Sequence, residues 1–311
     1  MTLRLGTRAS TLATTQSGLV AQALRERLGV DVELVPVRTE GDVNRAPLAS
    51  MGGTGVFVSA LRDALLRGEV DLAVHSLKDL PTGAHDGIAL AAVPLREDPR
   101  DALVARDGLT LGELPAGSRV GTGSPRRVAQ LNALGLGLEC VELRGNVDSR
   151  IRRVADGELD AVVLARAGLA RLGRAEDATE VIDPLQMLPA PGQGALAVEC
   201  RAADADLADL LGAVDDPATR ACVTAERAVL ATLEAGCSAP VGALAEVADG
   251  DDGPELWLRA VALSTDGSLS VRNSSSGPVG DAAGVGTRLA RQLLDDGAAD
   301  LMDAPVRKQQ P

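Results

Sequence analysis

The sequence of 311 residues has almost no aromatic side chains: it contains one Trp, one Phe and no Tyr. Its core must therefore be built from Ala, Val and Leu, and proteins that stack single-stranded nucleic acid on aromatic platforms are disfavoured. Lysine is equally scarce, since Lys78 and Lys308 are the only lysines among 31 basic residues. The net charge of -13 argues against nucleic acid or an anionic membrane as a general partner.

Cysteine, histidine and long apolar runs are also in short supply. The four cysteines form no CxxC pair, and two histidines do not supply the ligand spacing of a zinc site. No stretch approaches 18 apolar residues, and the first residues lack the pattern of a signal peptide. We therefore expect a cytoplasmic protein with reduced thiols, no metal and no membrane span.

Apolar strands alternate with helical patterns through the first two thirds of the chain. This alternation predicts an α/β fold with mostly parallel sheets and helices on both faces. Two α/β lobes with crossing connections imply a cleft between them, where ligands usually bind. The predicted strands are 3–7, 32–39, 70–75, 119–121, 139–143, 161–165 and 195–200, and the predicted helices are 11–28, 57–67, 147–155 and one starting at 125.

The last third of the chain has a different pattern. A long helix at 216–234 is followed by strands at 241–247, 256–263 and 269–273 and a helix at 282–294, which predicts a small α+β domain. A typical domain of about 150 residues predicts two or three domains for this length. We divide the chain into domain 1 (1–95 and 195–214), domain 2 (100–190) and domain 3 (216–311).

Positive charge is concentrated between residues 118 and 174, where ten arginines accompany six acidic residues. Helix starts and arginine forks together bind anions, so this region predicts a ligand with several carboxylates or phosphates. The alternative is that these arginines are solvated on helix faces. Four of them share a position at or just after a predicted strand end, beside a Gly-rich turn or a helix start: Arg126, Arg127, Arg144 and Arg150.

Two further positions have unusual surroundings. The apolar strand that ends near His75 delivers Lys78 and Asp79 to the edge of the predicted cleft, although a surface ion pair would also explain them. Cys237 lies in a loop flanked by glycine and proline, which indicates an accessible, nucleophilic thiol. We interpret the other three cysteines as small buried side chains.

Two Gly-rich stretches fail the tests for nucleotide binding. Residues 192–197 fit a loose GxGxxA pattern, but they precede a predicted strand instead of following one. Residues 51–55 lack the GK[ST] ending of a phosphate-binding loop, and we interpret them as part of a flexible lid.

Seven motifs occur in order along nearly the whole chain: GTRAS (6–10), VHSLKDLP (74–81), REDPRDAL (96–103), GTGSPRR (121–127), LRGNVDSR (143–150), LPAPGQGALAVEC (188–200) and AGCSAPVG (235–242). Together they resemble the porphobilinogen deaminase family. The resemblance implies two domains like type II periplasmic binding proteins with an active-site cleft between them, and a small third domain. It also implies a transferase that joins four porphobilinogen molecules on a dipyrromethane cofactor and releases ammonia and linear hydroxymethylbilane, in tetrapyrrole biosynthesis.

The same resemblance assigns a role to individual residues. Asp79 would be the catalytic carboxylate, placed to stabilise a cationic pyrrole and to move protons. Cys237 would hold the cofactor through a thioether. The other cofactor-binding residues would be Ser76, Lys78, Thr122, Ser124, Arg126, Arg127, Arg144 and Gly145. Substrate would be bound by Arg8, Ser10, Arg144, Arg150, Arg171 and Gln193, with Phe57 closing the lid over the rings.

The resemblance also implies a monomer whose product passes to uroporphyrinogen-III synthase. One departure concerns the lid, because many relatives carry lysine in a GGKG-like stretch where this chain has Gly52, Gly53, Thr54 and Gly55. Two other functions compete on the residues alone: a non-enzymatic binding or effector domain of the same two-lobed fold, and an Arg-rich enzyme that acts on phosphates. Neither of them needs Cys237.

Overall fold

The computed structural model describes residues 2–37, 55–235, 239–250 and 253–303, except the side chains of 55–57 and 303. None of the helices in these ranges has the length and apolar composition needed to cross a membrane. In chain order the elements are β1 (Thr2–Thr7), α1 (Thr11–Leu28), β2 (Asp31–Pro36), α2 (Gly55–Leu66), β3 (Leu72–Ser76), β4 (Ile88–Ala92), β5 (Asp101–Ala105), β6 (Arg119–Thr122), α3 (Pro125–Ala133), β7 (Glu139–Glu142), α4 (Val147–Ala155), β8 (Ala161–Ala165), α5 (Arg166–Arg171), β9 (Glu180–Val181), β10 (Leu196–Arg201), α6 (Ala205–Leu211), α7 (Pro217–Thr232), β11 (Val241–Gly250), β12 (Gly253–Leu263), β13 (Ser270–Pro278), α8 (Ala282–Asp295) and α9 (Ala298–Asp303).

The chain divides into two compact units. The first consists of Met1–Glu97 and Gly194–Arg220, and the second of Asp98–Gln193 and Ala221–Pro311. The first unit has nearly the bounds of the predicted domain 1. The second unit contains both of the other predicted domains, so their separation stays a prediction.

The first unit is built on a five-stranded sheet in the order β2-β1-β3-β10-β4. Strand β1 is parallel to β2 and β3, whereas β10 runs antiparallel to β3 and β4. Helix α1 covers one face, with Val20 and Leu24 buried against the apolar side chains of the strands. Ser10 caps this helix by accepting from the amide of Ala13, and Gly29 ends it in the left-handed conformation.

The second unit contains a sheet of the same design, in the order β7-β6-β8-β5-β9. Strand β6 is parallel to β7 and β8, and β5 runs antiparallel to β8 and β9. In both sheets four strands run in one direction and only the fourth in the order runs against them, so the prediction of mostly parallel sheets is confirmed. The reversed strands, β10 and β5, are those that enter their sheet from a segment of the other unit.

The rest of the second unit is a three-stranded antiparallel sheet, β11-β12-β13. One of its faces is covered by α7 and α8, so that Val229, Leu289 and Leu258 share a buried cluster. On the other face, Val261 and Leu263 pack against Ala129 of α3 and residues nearby. The predicted fold class, two α/β parts with a small C-terminal α+β part, is confirmed.

Candidate active site

Half of the predicted site lies at one edge of the first sheet. Arg8 and Ser10 follow β1, while Lys78 and Asp79 follow β3 in a single 3-10 turn. Because β1 and β3 are parallel neighbours, their carboxyl ends meet at the same edge, where ligands of such sheets bind. The fold thus brings these four residues to one edge.

The turn that carries Lys78 and Asp79 is fixed by its backbone and by its apolar neighbours. The amide of Leu77 donates to the carbonyl of Ala195 at 3.0 Å, and Leu77 itself is fully buried. Leu80 closes the turn and is also buried. Lys78 and Asp79 are half-buried between these two anchors.

A buried ionic cluster includes His75, which lies near the end of β3 just before this turn. Arg62 of α2 donates to Glu199 of β10 from Nε (3.0 Å) and Nη2 (2.6 Å). His75 Nε2 lies 3.3 Å from the same carboxylate, without the alignment of a good hydrogen bond. Burial acts to raise the pKa of Glu199, but the adjacent His75 ring and the two hydrogen bonds from Arg62 prevail and lower that pKa to about 2. The cluster ties α2 to the strands that lead into and support the Lys78–Asp79 turn.

The other half of the site follows β6 in the second sheet. Thr122 is buried, and its hydroxyl accepts from the amide of Ser124 at 3.3 Å. Pro125 then starts α3, whose first amides are free of a side-chain cap. Gly123 is required here because a Cβ would come 2.6 Å from the carbonyl oxygen of Leu143. This close approach shapes the turn that precedes the two adjacent arginines.

Those arginines, Arg126 and Arg127, point inward and share one carboxylate. Asp101 of β5 is fully buried; its Oδ2 accepts from Arg126 Nη2 (2.8 Å), and its Oδ1 from Nη2 (2.7 Å) and Nε (3.1 Å) of Arg127. Arg126 also donates to the carbonyl of Leu188, and Arg127 to the carbonyl of Val163. Burial acts to raise the pKa of Asp101, yet the two guanidinium charges hold it far below its usual range.

Gln193, in the PGQG turn, forms a hydrogen bond to the same carboxylate. Its amide donates to Asp101 Oδ1 and to the carbonyl of Pro99, both at 2.8 Å. The turn is held in place by Glu226, a fully buried residue of α7 that accepts from the amide of Gly192. Gln193 is itself buried, so its amide helps to hold the Asp101 carboxylate in place within the protein interior.

The arginines of the LRGNVDSR motif lie closer to the surface. Arg144 follows β7, is exposed and contacts Glu142 at 3.3 Å. Gly145 has a φ of 105°, and a Cβ there would overlap the Ser149 hydroxyl. Arg150 donates to the carbonyl of Gly145; burial lowers the pKa of its guanidinium, and the Arg127 charge lowers it further. The positive charge of Arg127 therefore acts on the guanidinium of Arg150.

For the remaining predicted residues, the structure gives a location in the fold or does not describe the side chain. Arg171 ends α5 and is half-buried. Cys237 and the side chain of Phe57 lie outside the described residues. Among the other cysteines, Cys200 and Cys222 are buried as predicted, whereas Cys140 is only half-buried because its strand, β7, lies at the edge of its sheet.

The structure also identifies a residue that the sequence-based site omitted, Asp101. It begins an entirely buried apolar strand, DALVA, within a region of excess positive charge. A lone carboxylate in that position could have been read as a partner for buried arginine, because an unpaired buried charge is unfavourable. Arg126 and Arg127 are both buried and hold Asp101, and their binding of an anionic ligand stays a prediction.

Buried positive charge exceeds buried negative charge in the contacts of Asp101. Two buried guanidiniums, those of Arg126 and Arg127, share this one carboxylate. Arg126 Nε is buried and has no hydrogen-bond partner among the described residues. An excess of buried positive charge and a buried unused donor both suit an anionic ligand.

Two family models match the chain. The model described as "Porphobilinogen deaminase, dipyromethane cofactor binding domain" matches residues 3–209, and "Porphobilinogen deaminase, C-terminal domain" matches residues 220–295. Similar curated proteins include "Porphobilinogen deaminase 1" of Streptomyces avermitilis, 62% identical over 96% of this chain and 97% of that protein. "Porphobilinogen deaminase" of Nocardia farcinica is 61% identical over 96% of this chain and 88% of that protein.

Solved structures with a similar fold are much more distant. The methionine-binding protein MetQ has a TM-score of 0.44 and 16% identity, covering 68% of this chain and 88% of its own. A periplasmic substrate-binding protein of an ABC transporter from Coxiella burnetii has a TM-score of 0.44 and 17% identity, covering 70% and 94%. Likeness at this level indicates no function for the chain.

Proposed function

The chain belongs to the porphobilinogen deaminase family, and from this premise we propose that it joins four porphobilinogen molecules on a dipyrromethane tethered to Cys237. Residues 3–209 form the family's dipyrromethane cofactor binding domain, so the chain is an enzyme of tetrapyrrole synthesis. In the proposed reaction each condensation releases ammonia, and linear hydroxymethylbilane is the final product. This chemistry makes the enzyme a transferase.

One observation carries the proposal beyond family membership: the guanidinium cluster at Asp101 has excess positive charge, and Arg126 Nε has no partner among the described residues. Dipyrromethane carries acetate and propionate arms, and carboxylates are the groups that arginine forks bind best. The residues therefore fit this cofactor. When bound, it would supply the primer whose free α-carbon is extended.

The proposed chemical step uses a carboxylate next to a developing cation. Porphobilinogen loses its amino group as ammonia, and the remaining pyrrole becomes an electrophile with positive charge on its ring. The bound dipyrromethane chain would supply the free α-carbon for the new carbon–carbon bond, and a base of the protein would have to take up the proton displaced from that carbon. We assign Asp79 to stabilise the cation and to move the proton, because it is half-buried and rigidly held beside Lys78.

The other residues would bind the carboxylate arms and hold them still. We assign the cofactor to Ser76, Lys78, Thr122, Ser124, Arg126, Arg127, Arg144 and Gly145. We assign the incoming substrate to Arg8, Ser10, Arg144, Arg150, Arg171 and Gln193, with Phe57 over the rings. Of these, Gln193 and Arg127 make several hydrogen bonds inside the protein and would act mainly by placing their neighbours.

Three further properties belong to the proposal. The three-domain division, 1–95 with 195–214, 100–190 and 216–311, would give one domain to each sheet. The enzyme would act as a monomer in the cytoplasm. Its product, linear hydroxymethylbilane, would pass to uroporphyrinogen-III synthase.

The decisive experiment measures the mass of the intact protein and its colour with Ehrlich's reagent. The purified chain should weigh one dipyrromethane more than its sequence, turn pink and consume porphobilinogen with release of ammonia. A ligand-binding protein or a phosphate enzyme with the same fold would have the bare sequence mass and give no colour. That outcome would reject the proposed function.

A further inference from the structure

The two adjacent arginines of the GTGSPRR motif are not equivalent. Arg127 has hydrogen bonds from all three of its nitrogens, to Asp101 and to the carbonyl of Val163. Arg126 uses its two terminal nitrogens, for Asp101 and the carbonyl of Leu188, and leaves Nε without a described partner. One carboxylate thus contacts both guanidiniums, and each of them has one backbone carbonyl as a second partner.

We propose that Asp101 is a positioning residue: it orients the Arg126 and Arg127 forks so that an anionic ligand can be bound beside them. The inference rests on the proposed function, in which that ligand is the carboxylate-bearing cofactor. Asp101 touches neither cofactor nor substrate in this account. It acts through the two arginines and through Gln193, all of which it contacts directly.

The location of Asp101 in the sheet explains how it can do this. It is the first residue of β5 and is paired with Ala165, the last residue of β8. It therefore lies at the edge of the second sheet where β6 and β8 end. A carboxylate on a buried strand has few rotamers available, whereas a long arginine side chain on a helix has many. The rigid partner consequently sets the position of the flexible one.

Asp101 could instead act only through its negative charge. The two explanations predict opposite effects of its removal on anion binding, so an experiment can distinguish them. If Asp101 were only a counter-charge, its removal would raise the positive potential of the cluster and improve the binding of an anion. If Asp101 positions the forks, its removal would weaken anion binding in spite of the added charge. The sign of the effect therefore tests the proposal.

Asp101→Asn is the sharpest variant because it keeps the size of the side chain. The amide retains one oxygen, which can still accept from one arginine. Its other end becomes an N–H donor that faces the second arginine, and two donors cannot bond to each other. In either orientation of the amide, one of the two guanidiniums loses its hydrogen bond to residue 101.

The test is performed on full-length protein produced in a host that makes porphobilinogen, and only the folded, soluble fraction is analysed. Intact mass gives the fraction of molecules that carry the dipyrromethane. We expect wild type to be loaded and Asp101→Asn to be loaded at least about tenfold less, since a displaced group of this kind commonly reduces function by one to two orders of magnitude.

Asp160→Asn is the matched control. Asp160 precedes β8 at the opposite end of that strand and also binds two arginines, through Arg106 Nε (2.6 Å) and the amide of Arg119 (2.7 Å). This variant should lose stability without losing cofactor. Asp101→Glu provides a second test, because it keeps the charge and moves the carboxylate; positioning predicts reduced loading, and a pure charge effect predicts normal loading.

Each outcome decides the question. Equal or higher loading of Asp101→Asn, with a loaded wild type, overturns the positioning role while the proposed function stands. An unloaded wild type refutes the proposed function instead. If neither Asp101 variant yields soluble protein, Asp101 is required for folding, and the positioning proposal is rejected.

Discussion

Arg62 and Glu199 form a buried, two-bond ion pair although 137 residues separate them in the chain. Their side chains are only 8% and 3% exposed. Such a pair contributes little net stability when both partners are present, but removal of one partner leaves a buried charge without compensation. The pair thus links α2 to β10, and β10 is the neighbour of β3, the strand that leads to Asp79.

We predict that Arg62→Met lowers the free energy of unfolding by about 3–5 kcal/mol, because Glu199 is left buried without its guanidinium partner and with only His75 beside it. The double variant Arg62→Met, Glu199→Gln should recover part of that loss. Urea unfolding of the four proteins of this cycle gives the coupling energy. Arg67→Met is the control, since the Arg67–Glu69 pair is exposed and its loss should leave the melting temperature almost unchanged. Equal effects at Arg62 and Arg67 would contradict the prediction.

The stability of the protein should fall as the pH is lowered from about 4.5 towards 2. Folding lowers the pKa of Glu199 to about 2 and holds that of Asp101 far below its usual range. Each carboxylate therefore stabilises the folded state above its unfolded pKa of about 4, and this stabilisation is lost as protons bind the folded form. The contribution of Glu199 is on the order of 3 kcal/mol.

Urea unfolding at a series of pH values measures this loss. Glu199→Gln should be less stable than wild type at pH 7 and should show a shallower decline between pH 4.5 and 2. Parallel curves for the two proteins would mean that Glu199 does not titrate in this range.

Asp79→Asn should remove activity and leave the fold intact. The change keeps the shape of a half-buried side chain but removes the negative charge that offsets the cationic pyrrole and the base that takes its proton. Loss of one well-placed electrostatic partner commonly costs about 10²–10³ in rate. The measurement is single-turnover elongation with loaded enzyme and excess porphobilinogen. Asp86→Asn, an exposed residue of the same unit, is the control and should react normally. Elongation by Asp79→Asn within about tenfold of wild type would assign catalysis to another acid.

Cys237→Ser should yield folded protein without a covalent adduct. A serine hydroxyl is a far weaker nucleophile than a thiolate, so the thioether cannot form. Intact mass should equal that of the bare sequence, and Ehrlich's reagent should give no colour. Cys140→Ser is the control, because Cys140 is half-buried, and burial raises the pKa of its thiol and makes it less reactive. If Cys237→Ser keeps the adduct, the tether lies elsewhere.

Gly267→Ala should destabilise the second unit. Gly267 lies in the turn between β12 and β13 with a φ of 75°, and a Cβ there would overlap the carbonyl oxygen of Ala129. The left-handed backbone and the overlap together should lower the free energy of unfolding by about 1–3 kcal/mol. Gly280→Ala is the control, since nothing lies within 4 Å of its Cβ position. Thermal unfolding of both variants checks the difference, and equal melting temperatures would show that the turn adapts.

Much of the local structure follows from the sequence. Helix α1 has its predicted bounds, Thr11–Leu28, because Ser10 caps its start and Gly29 ends it. Helix α4 likewise has its predicted bounds, Val147–Ala155, and the side chain of Asn146 caps it. These signals act between residues a few positions apart, so one sequence is enough to recognise them.

Other elements carried no such signal. Strands β4 (Ile88–Ala92) and β5 (Asp101–Ala105) were not predicted, because a short apolar run has no periodicity that distinguishes a strand from a loop or a helix. Their place in a sheet comes from hydrogen bonds to strands far away in the chain. The antiparallel direction of β5 and β10 depends in the same way on where the chain crosses between units.

The motifs by themselves determined the family, the residue types of the candidate site and the edge of each sheet at which they lie. Only the tertiary structure decided which charges are paired. Asp101 meets Arg126, Arg127 and Gln193 across separations of 25, 26 and 92 residues. An arginine beside a turn looks the same in the sequence whether it is solvated or buried. The difference arises because packing removes water and leaves a carboxylate from another strand as the partner within reach.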